Sequence, residues 1–364
     1  MFKSEKGLNS GTISDDFKLL TNYIKIANFF SYGNFFKLTA LVLSVIFAAV
    51  SYFSYKIGIF DYRDHNPTLK GMTLVLTISN ALFLQYFMVS LMARKRKHWD
   101  ELFDSMHTFE NILKTCDYFK IEKIRKLSTG IIFIFLTIFH SIYSIYYFTF
   151  QNSQFDNFFV VLGLRGFCTL YLIFVVTFYL TLTHWLDNRY KFMDKYLKIM
   201  VTKPGYYLVV RKMIVTVKLA HNIVEKINYL YGGILFSGLT VCVIKILYYF
   251  VLALDLNSIP TEIRCINYTA PIIYAIYLVI LTMSCNSVEI TGYSLIKTCY
   301  LVHETASSNI DKEHLMLLVG YIDEWKPIFS ACGYYDVNQS SLSSIFSAII
   351  TYLIVLIQFN MVLN

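Results

Sequence analysis

Stretches of about 20 residues that carry almost no charge recur along this chain, and that length spans the hydrocarbon core of a bilayer. Seven are read, at 35–55, 71–92, 131–150, 158–186, 229–254, 270–288 and 342–359. Such a chain does not bury a water-soluble core. It buries helices in lipid and against each other. Of its 364 residues 56% are hydrophobic, 17% aromatic and 15% charged, where a soluble domain carries about a quarter charged residues. The expected fold is an all-α integral membrane protein with seven transmembrane helices. Pro271, at the start of the sixth span, suits a first helical position, where a missing N–H costs little.

Lysine and arginine set the orientation. Arg94-Lys95-Arg96-Lys97 follow the second span, with Lys114, Lys120, Lys123, Arg125 and Lys126 behind them. Arg189, Lys191, Lys195, Lys198, Lys203, Arg211, Lys212, Lys218 and Lys226 follow the fourth. The opposite loops hold Lys56, Arg63, Lys70 and Arg264. The positive-inside rule puts the N-terminus in the cytosol, and seven crossings put the C-terminus outside. The sequon at Asn267 then falls outside, against the sixth span, and the one at Asn338 falls inside.

A net charge of +8 could suggest nucleic acid, but the bases flank apolar spans and no basic, aromatic-interleaved domain stands apart from them. The seven cysteines form no C-x-x-C pair and no metal-ligand cluster with histidine. No glycine-rich phosphate loop or nucleophile elbow is present. No enzyme, cofactor, metal or nucleic-acid partner is therefore expected. The N-terminal residues lack the compact apolar core and cleavage site of a secretory signal.

The chain divides into a cytosolic segment 1–34, a six-helix bundle 35–288 with helical cytosolic loops, an anchor segment 289–341 and a last helix 342–364. Trp99, Leu102, Phe103, Met106, Phe109, Leu113 and Cys116 recur at helical spacing, as do Tyr190, Met193, Leu197 and Met200. Val210, Ile214, Val217, Val224 and Ile227 form another stripe, and Leu315, Leu318, Val319 and Ile322 a fourth. Two readings stand: these helices lie on the inner leaflet, or the later spans continue into the cytosol and pack together across subunits.

The C-terminal region is the most specific. It reads Phe329-Ser330-Ala331-Cys332-Gly333-Tyr334, then Thr351-Tyr352, five apolar residues and Gln358-Phe359. This resembles the insect gustatory-receptor family, with its Phe-x-Ala-x-Gly-aromatic segment followed by Thr-Tyr and Gln-Phe in the last helix. The resemblance implies a homotetrameric or heterotetrameric cation channel of sensory-neuron plasma membrane, opened directly by a tastant. The last helix would line the pore, cytosolic extensions would join subunits, and each subunit would hold its own ligand pocket in the outer half of the bundle. Leu353, where the sweet branch tends to carry an acid, disfavours sugars of that branch. The chain ends at Asn364; four terminal carboxylates would then concentrate cations at the outer mouth.

Thr351, Val355, Gln358 and Val362 share one helical face. A ring of Val355 or Phe359 would gate by dewetting, and Gln358 would offer carbonyls to a cation; the alternative is that Gln358 bonds a neighbouring helix and Tyr352 packs. Arg165 and Lys245 are charges within spans, functional candidates by default. Arg165 either serves a site or snorkels outward; Lys245, deeper, needs a partner or a wet cavity. Gln85, His140 and His184 suit interhelical hydrogen bonds. Tyr248, Tyr249, Tyr274 and Tyr277 form either an interfacial belt or, with Arg165, a pocket for a small organic molecule. A metabotropic seven-helix receptor would have the opposite topology. A secondary transporter would show an inverted repeat, and none is seen.

Overall fold

The computed structural model describes residues 67–93, 96–114, 155–200, 207–254, 261–306 and 308–363, and singly Val45, Ala49 and Ile138. The expected spans at 35–55 and 131–150 otherwise lie outside the described residues. Seven helices are described: α1 Pro67–Ala93, α2 Arg96–Lys114, α3 Phe155–Met200, α4 Tyr207–Leu254, α5 Thr261–Thr305, α6 Asn309–Glu324 and α7 Gln339–Leu363. Between α6 and α7 lies a minimal hairpin, β1 Ser330–Ala331 against β2 Tyr335–Asp336. Among the described residues four helices are long and apolar enough to cross a membrane, within α3, α4, α5 and α7.

The core helices are far longer than a bilayer is thick. α3, α4 and α5 have 46, 48 and 45 residues. At 1.5 Å per residue each reaches roughly 70 Å, about twice the hydrocarbon core. The fourth, fifth and sixth spans therefore run on unbroken. The stripes read after the fourth span belong to α3 and α4 themselves, and their apolar residues are buried within the bundle: Tyr190, Met193, Leu197, Val210, Val217, Val224 and Ile227. They do not lie on an inner leaflet as separate surface helices. Pro271 is likewise interior to α5, ten residues past its start at Thr261. Its missing N–H leaves the carbonyl of Asn267 without the usual helical donor.

Buried polar contacts set how these helices meet. On α3, Asp187 accepts from Thr291 of α5 at 2.5 Å and from Ser287 at 3.4 Å. One heptad along, Asp194 accepts from Thr298. Both rungs join residues 104 apart, so α3 and α5 run parallel in constant register. Lys191 and Lys198, one turn on, pair with the same carboxylates at 2.6 Å. Hydroxyl donors neutralise little charge, so each aspartate stays paired only because its own helix brings a lysine to it.

α2 is amphipathic and lays its stripe, Leu102, Met106, Phe109 and Leu113, wholly inside. Its single buried acid, Glu110, accepts from Trp185 Nε1 at 2.8 Å and from the Arg189 guanidinium through both Nε and an Nη, each at 2.8 Å. Arg189, counted among the bases that set topology, is thus consumed inside the fold. Lys226 of α4 holds the other end of α2, donating to Glu101 O at 3.0 Å and Ser105 Oγ at 2.8 Å.

Glu110→Ala strands a buried guanidinium and an indole N–H and should cost about 3 kcal/mol or more. The measurement is the thermal unfolding of the purified protein. The double change Glu110→Leu with Arg189→Met should recover most of the loss, because no unpaired charge remains.

Candidate functional site

α7 is hung from the bundle by the segment before it. Asn228 of α4 clamps that segment twice: its Nδ2 donates to Ile328 O at 2.8 Å and its Oδ1 accepts from Ser330 N at 3.0 Å. The hairpin turns at Cys332 and Gly333, with φ of 57° and 77°, and closes with Tyr334 N donating to Ala331 O at 3.1 Å. Two successive residues at positive φ make the turn that matches strand twist, and glycine meets that demand without strain. Gly333 faces open space, so its conformation, not its size, explains it.

Two other glycines matter for size. A Cβ on Gly232 would lie 3.0 Å from both Cys332 N and Ser330 O. A Cβ on Gly292 would lie 2.9 Å from Pro327 Cγ. The strap from Pro327 to Cys332 therefore beds onto bare backbone of α4 at one side and α5 at the other. Phe329 and Ala331 fill the space beneath it, fully buried, Phe329 meeting the Tyr179 ring edge-on at 6.1 Å. Burial raises the Tyr335 phenol above its ordinary range, and the Asp323 carboxylate bonded to Lys326 raises that ammonium likewise.

The start of α7 is capped with care. Asn338 Oδ1 accepts from Ser340 N and Ser341 N at 3.1 and 3.2 Å, while Ser341 Oγ accepts from Asn338 N at 3.0 Å. This reciprocal pair is a capping box in which serine stands for the usual glutamate. Gln339 N donates to Asn286 of α5 at 3.3 Å.

Beyond this seat α7 leaves its own bundle. Leu342 and Ile349 are buried, and Ile345, Phe346, Leu353 and Leu356 pack beside them. These six residues make one face. Only 6% of the apolar stretch of α7 is buried, against 72% and 67% for α3 and α4. On the opposite face stand Ser340, Ser344, Ser347, Thr351, Val355 and Gln358, all exposed. The expected set Thr351, Val355 and Gln358 is thus brought together, facing away from the bundle. Val362 continues the same face by register; its side chain lies outside the described residues. Tyr352 and Phe359 are also exposed and flank this face rather than lying on it. The sequence reading missed Ser344 and Ser347 as members, although their helical spacing continues the pattern downward.

The tyrosines are buried, not spread as a belt. Tyr248, Tyr274 and Tyr277 are at most 3% exposed. Tyr249 links them, edge-on to Tyr248 at 5.2 Å and stacked on Tyr274 at 6.0 Å; Tyr274 meets Tyr277 at 5.9 Å. Lys245 reaches the same cluster, donating to Thr169 Oγ1 at 2.9 Å and to Tyr274 OH at 3.3 Å. The side chains of Arg165 and Gln85 and the whole of His140 lie outside the described residues.

Gly232→Val should destabilise the protein by about 1–3 kcal/mol, because backbone of the strap cannot move aside. Gly233→Ala should be mild, since the clashing group there is the far end of Tyr86. Thermal unfolding of the two variants side by side checks this contrast.

The profile of the 7tm chemosensory receptor family matches residues 26–363. No curated protein matches the chain. Among solved structures, the insect olfactory receptor OR5 from Machilis hrabei is similar, with a TM-score of 0.61 at 13% identity over 94% of this chain and all (100%) of that one. The same receptor in complex with eugenol gives 0.59 at 12% identity, covering 94% and 98%. At that identity the likeness is one of fold: an all-α, multi-pass membrane architecture. The match over nearly the whole chain settles the rest, and the chain belongs to the 7tm chemosensory receptor family, a family of receptors and not of enzymes.

Proposed function

We propose that this receptor is a gustatory receptor that acts as a tastant-gated, non-selective cation channel, with α7 of each subunit lining a central pore. The observation that carries the reading is the divided surface of α7. One face is apolar and touches its own bundle; the opposite face bears Ser340, Ser344, Ser347, Thr351 and Gln358, all exposed among the described residues. Lipid would cover an apolar face but offers nothing to the Gln358 amide; Ser344 and Thr351 donate to carbonyls of their own helix, and their oxygens still face outward as acceptors. A ring of four copies solves both problems, turning the polar stripe toward a shared aqueous axis. Val355 then forms an apolar constriction between Thr351 and Gln358 that closes by dewetting.

The Thr351-Tyr352 and Gln358-Phe359 pairs support a gustatory rather than an olfactory assignment, and with it the plasma membrane of sensory neurons. The segment 289–341 supplies the anchor: the inner parts of α3, α4 and α5 with α6 form a packed block on the side that the basic loops assign to the cytosol, where subunits would join. A relative of this fold was solved with eugenol, which supports a small organic ligand for the buried tyrosine cluster.

Recording from excised patches of cells expressing the chain, without nucleotide, tests the proposal. Ligand-evoked cation current is expected. Val355→Ser should wet the constriction and raise the current without ligand several-fold. Gln358→Ala should change relative cation permeability while leaving protein yield unaltered. Current that vanishes on excision and returns only with nucleotide would overturn the channel reading.

A further inference from the structure

Lys245 presents a charge that no carboxylate among the described residues answers. It is 3% exposed and stands in the outer half of the fifth span. Its two hydrogen-bond partners, Thr169 and Tyr274, are neutral hydroxyls, and its ammonium lies 4.8 Å from the Tyr274 ring centroid. Among the described residues no carboxylate pairs with it. None of the seven apolar stretches read from the sequence contains Asp or Glu. A lysine inside a bundle costs several kcal/mol unless an anion meets it.

The tyrosines around it belong to the packed core, yet polar groups beside them lack partners among the described residues. The hydroxyl of Tyr277, buried beside Tyr274, has no hydrogen-bond partner. Asn267, two turns before Tyr274 on the same face of α5, is 0% exposed, and both its side-chain polar atoms lack partners. Pro271 also frees the Asn267 carbonyl. Such buried donors and acceptors are kept where something else completes them.

We propose that the ligand of this receptor is a small organic acid. Its carboxylate pairs with Lys245, between Thr169 and Tyr274, and its apolar body lies against the rings of Tyr274 and Tyr249. This rests on the reading of the chain as a ligand-gated receptor.

The test uses the full chain in lipid nanodiscs with benzoate, phenylacetate and 3-phenylpropanoate, each beside its primary amide. At least one acid should raise the melting temperature and its amide should not. Lys245→Met should weaken that acid by about 30-fold or more, and Lys245→Arg by less. Lys245→Met removes an unanswered charge, so it should fold at least as well as the parent; Thr169→Val with Tyr274→Phe gives a second variant that keeps the charge and should weaken the acid. No shift with any acid, equal shifts with acid and amide, the same shift from sodium chloride alone, or unchanged binding in Lys245→Met would each overturn the proposal. Binding is read here without current. Acid binding that never opens a channel would count against the channel reading alone, and currents from neutral ligands with no acid binding would count against this proposal alone.

Discussion

Asp187 and Asp194, each bonded to a hydroxyl of α5, hold α3 and α5 in one register, and the rest of the structure depends on it. Inside lipid, apolar side chains gain little from meeting one another, so helices can slide past each other at small cost. Polar rungs remove that freedom, because a slip of one turn would cost each carboxylate its hydroxyl donors on α5. The register places Gly292 under Pro327 and Asn286 beside the first N–H of α7. From α4, Asn228 and Gly232 complete the same seat. The direction in which α7 leaves the bundle is thus decided far from its apolar stretch.

The strap between α6 and α7 shows how a short motif acquires meaning. Phe329 and Ala331 are buried plugs, Gly333 makes the positive-φ turn, and Tyr334 meets the Phe236 ring at 5.3 Å. Each residue of the Phe-x-Ala-x-Gly-aromatic segment has a separate physical duty, and all of them serve to fix one helix. A ligand acting on α4 or α5 has a direct mechanical route to α7. The Lys245 cluster and the Gly232 seat lie on the same unbroken helix α4, and the Tyr274 cluster and the Gly292 seat on the same unbroken α5. A rigid helix carries a small displacement along its length.

Membrane proteins built this way separate two kinds of polar residue. On the inner extensions, Glu110 is satisfied within the chain by Trp185 and Arg189. In the outer bundle, Asn267 and Tyr277 keep side-chain polar atoms without partners among the described residues, and Lys245 meets hydroxyls but no carboxylate there.

Sequence alone marked the fourth to seventh spans, because an uncharged stretch of about 20 residues is long and apolar enough to cross a bilayer. It also determined the buried stripes of α2, α3, α4 and α6, since helical spacing of apolar residues is visible without partners. The face shared by Thr351, Val355 and Gln358 was legible for the same reason. Tertiary structure decided what depends on distance between elements. The stripes beyond the fourth span proved continuous with the membrane helices, because polar loops and helices that outrun the bilayer look alike in composition. Pro271 sits inside a helix rather than opening one, which local propensity could not reveal. Gly232, Gly292 and Asn228 carried only a faint signal, glycines in an apolar helix and a lone amide, until the strap they hold was in place. The charge of Lys245 was evident from the start; that its neighbours are hydroxyls and aromatic rings, not an acid, is a fact of packing.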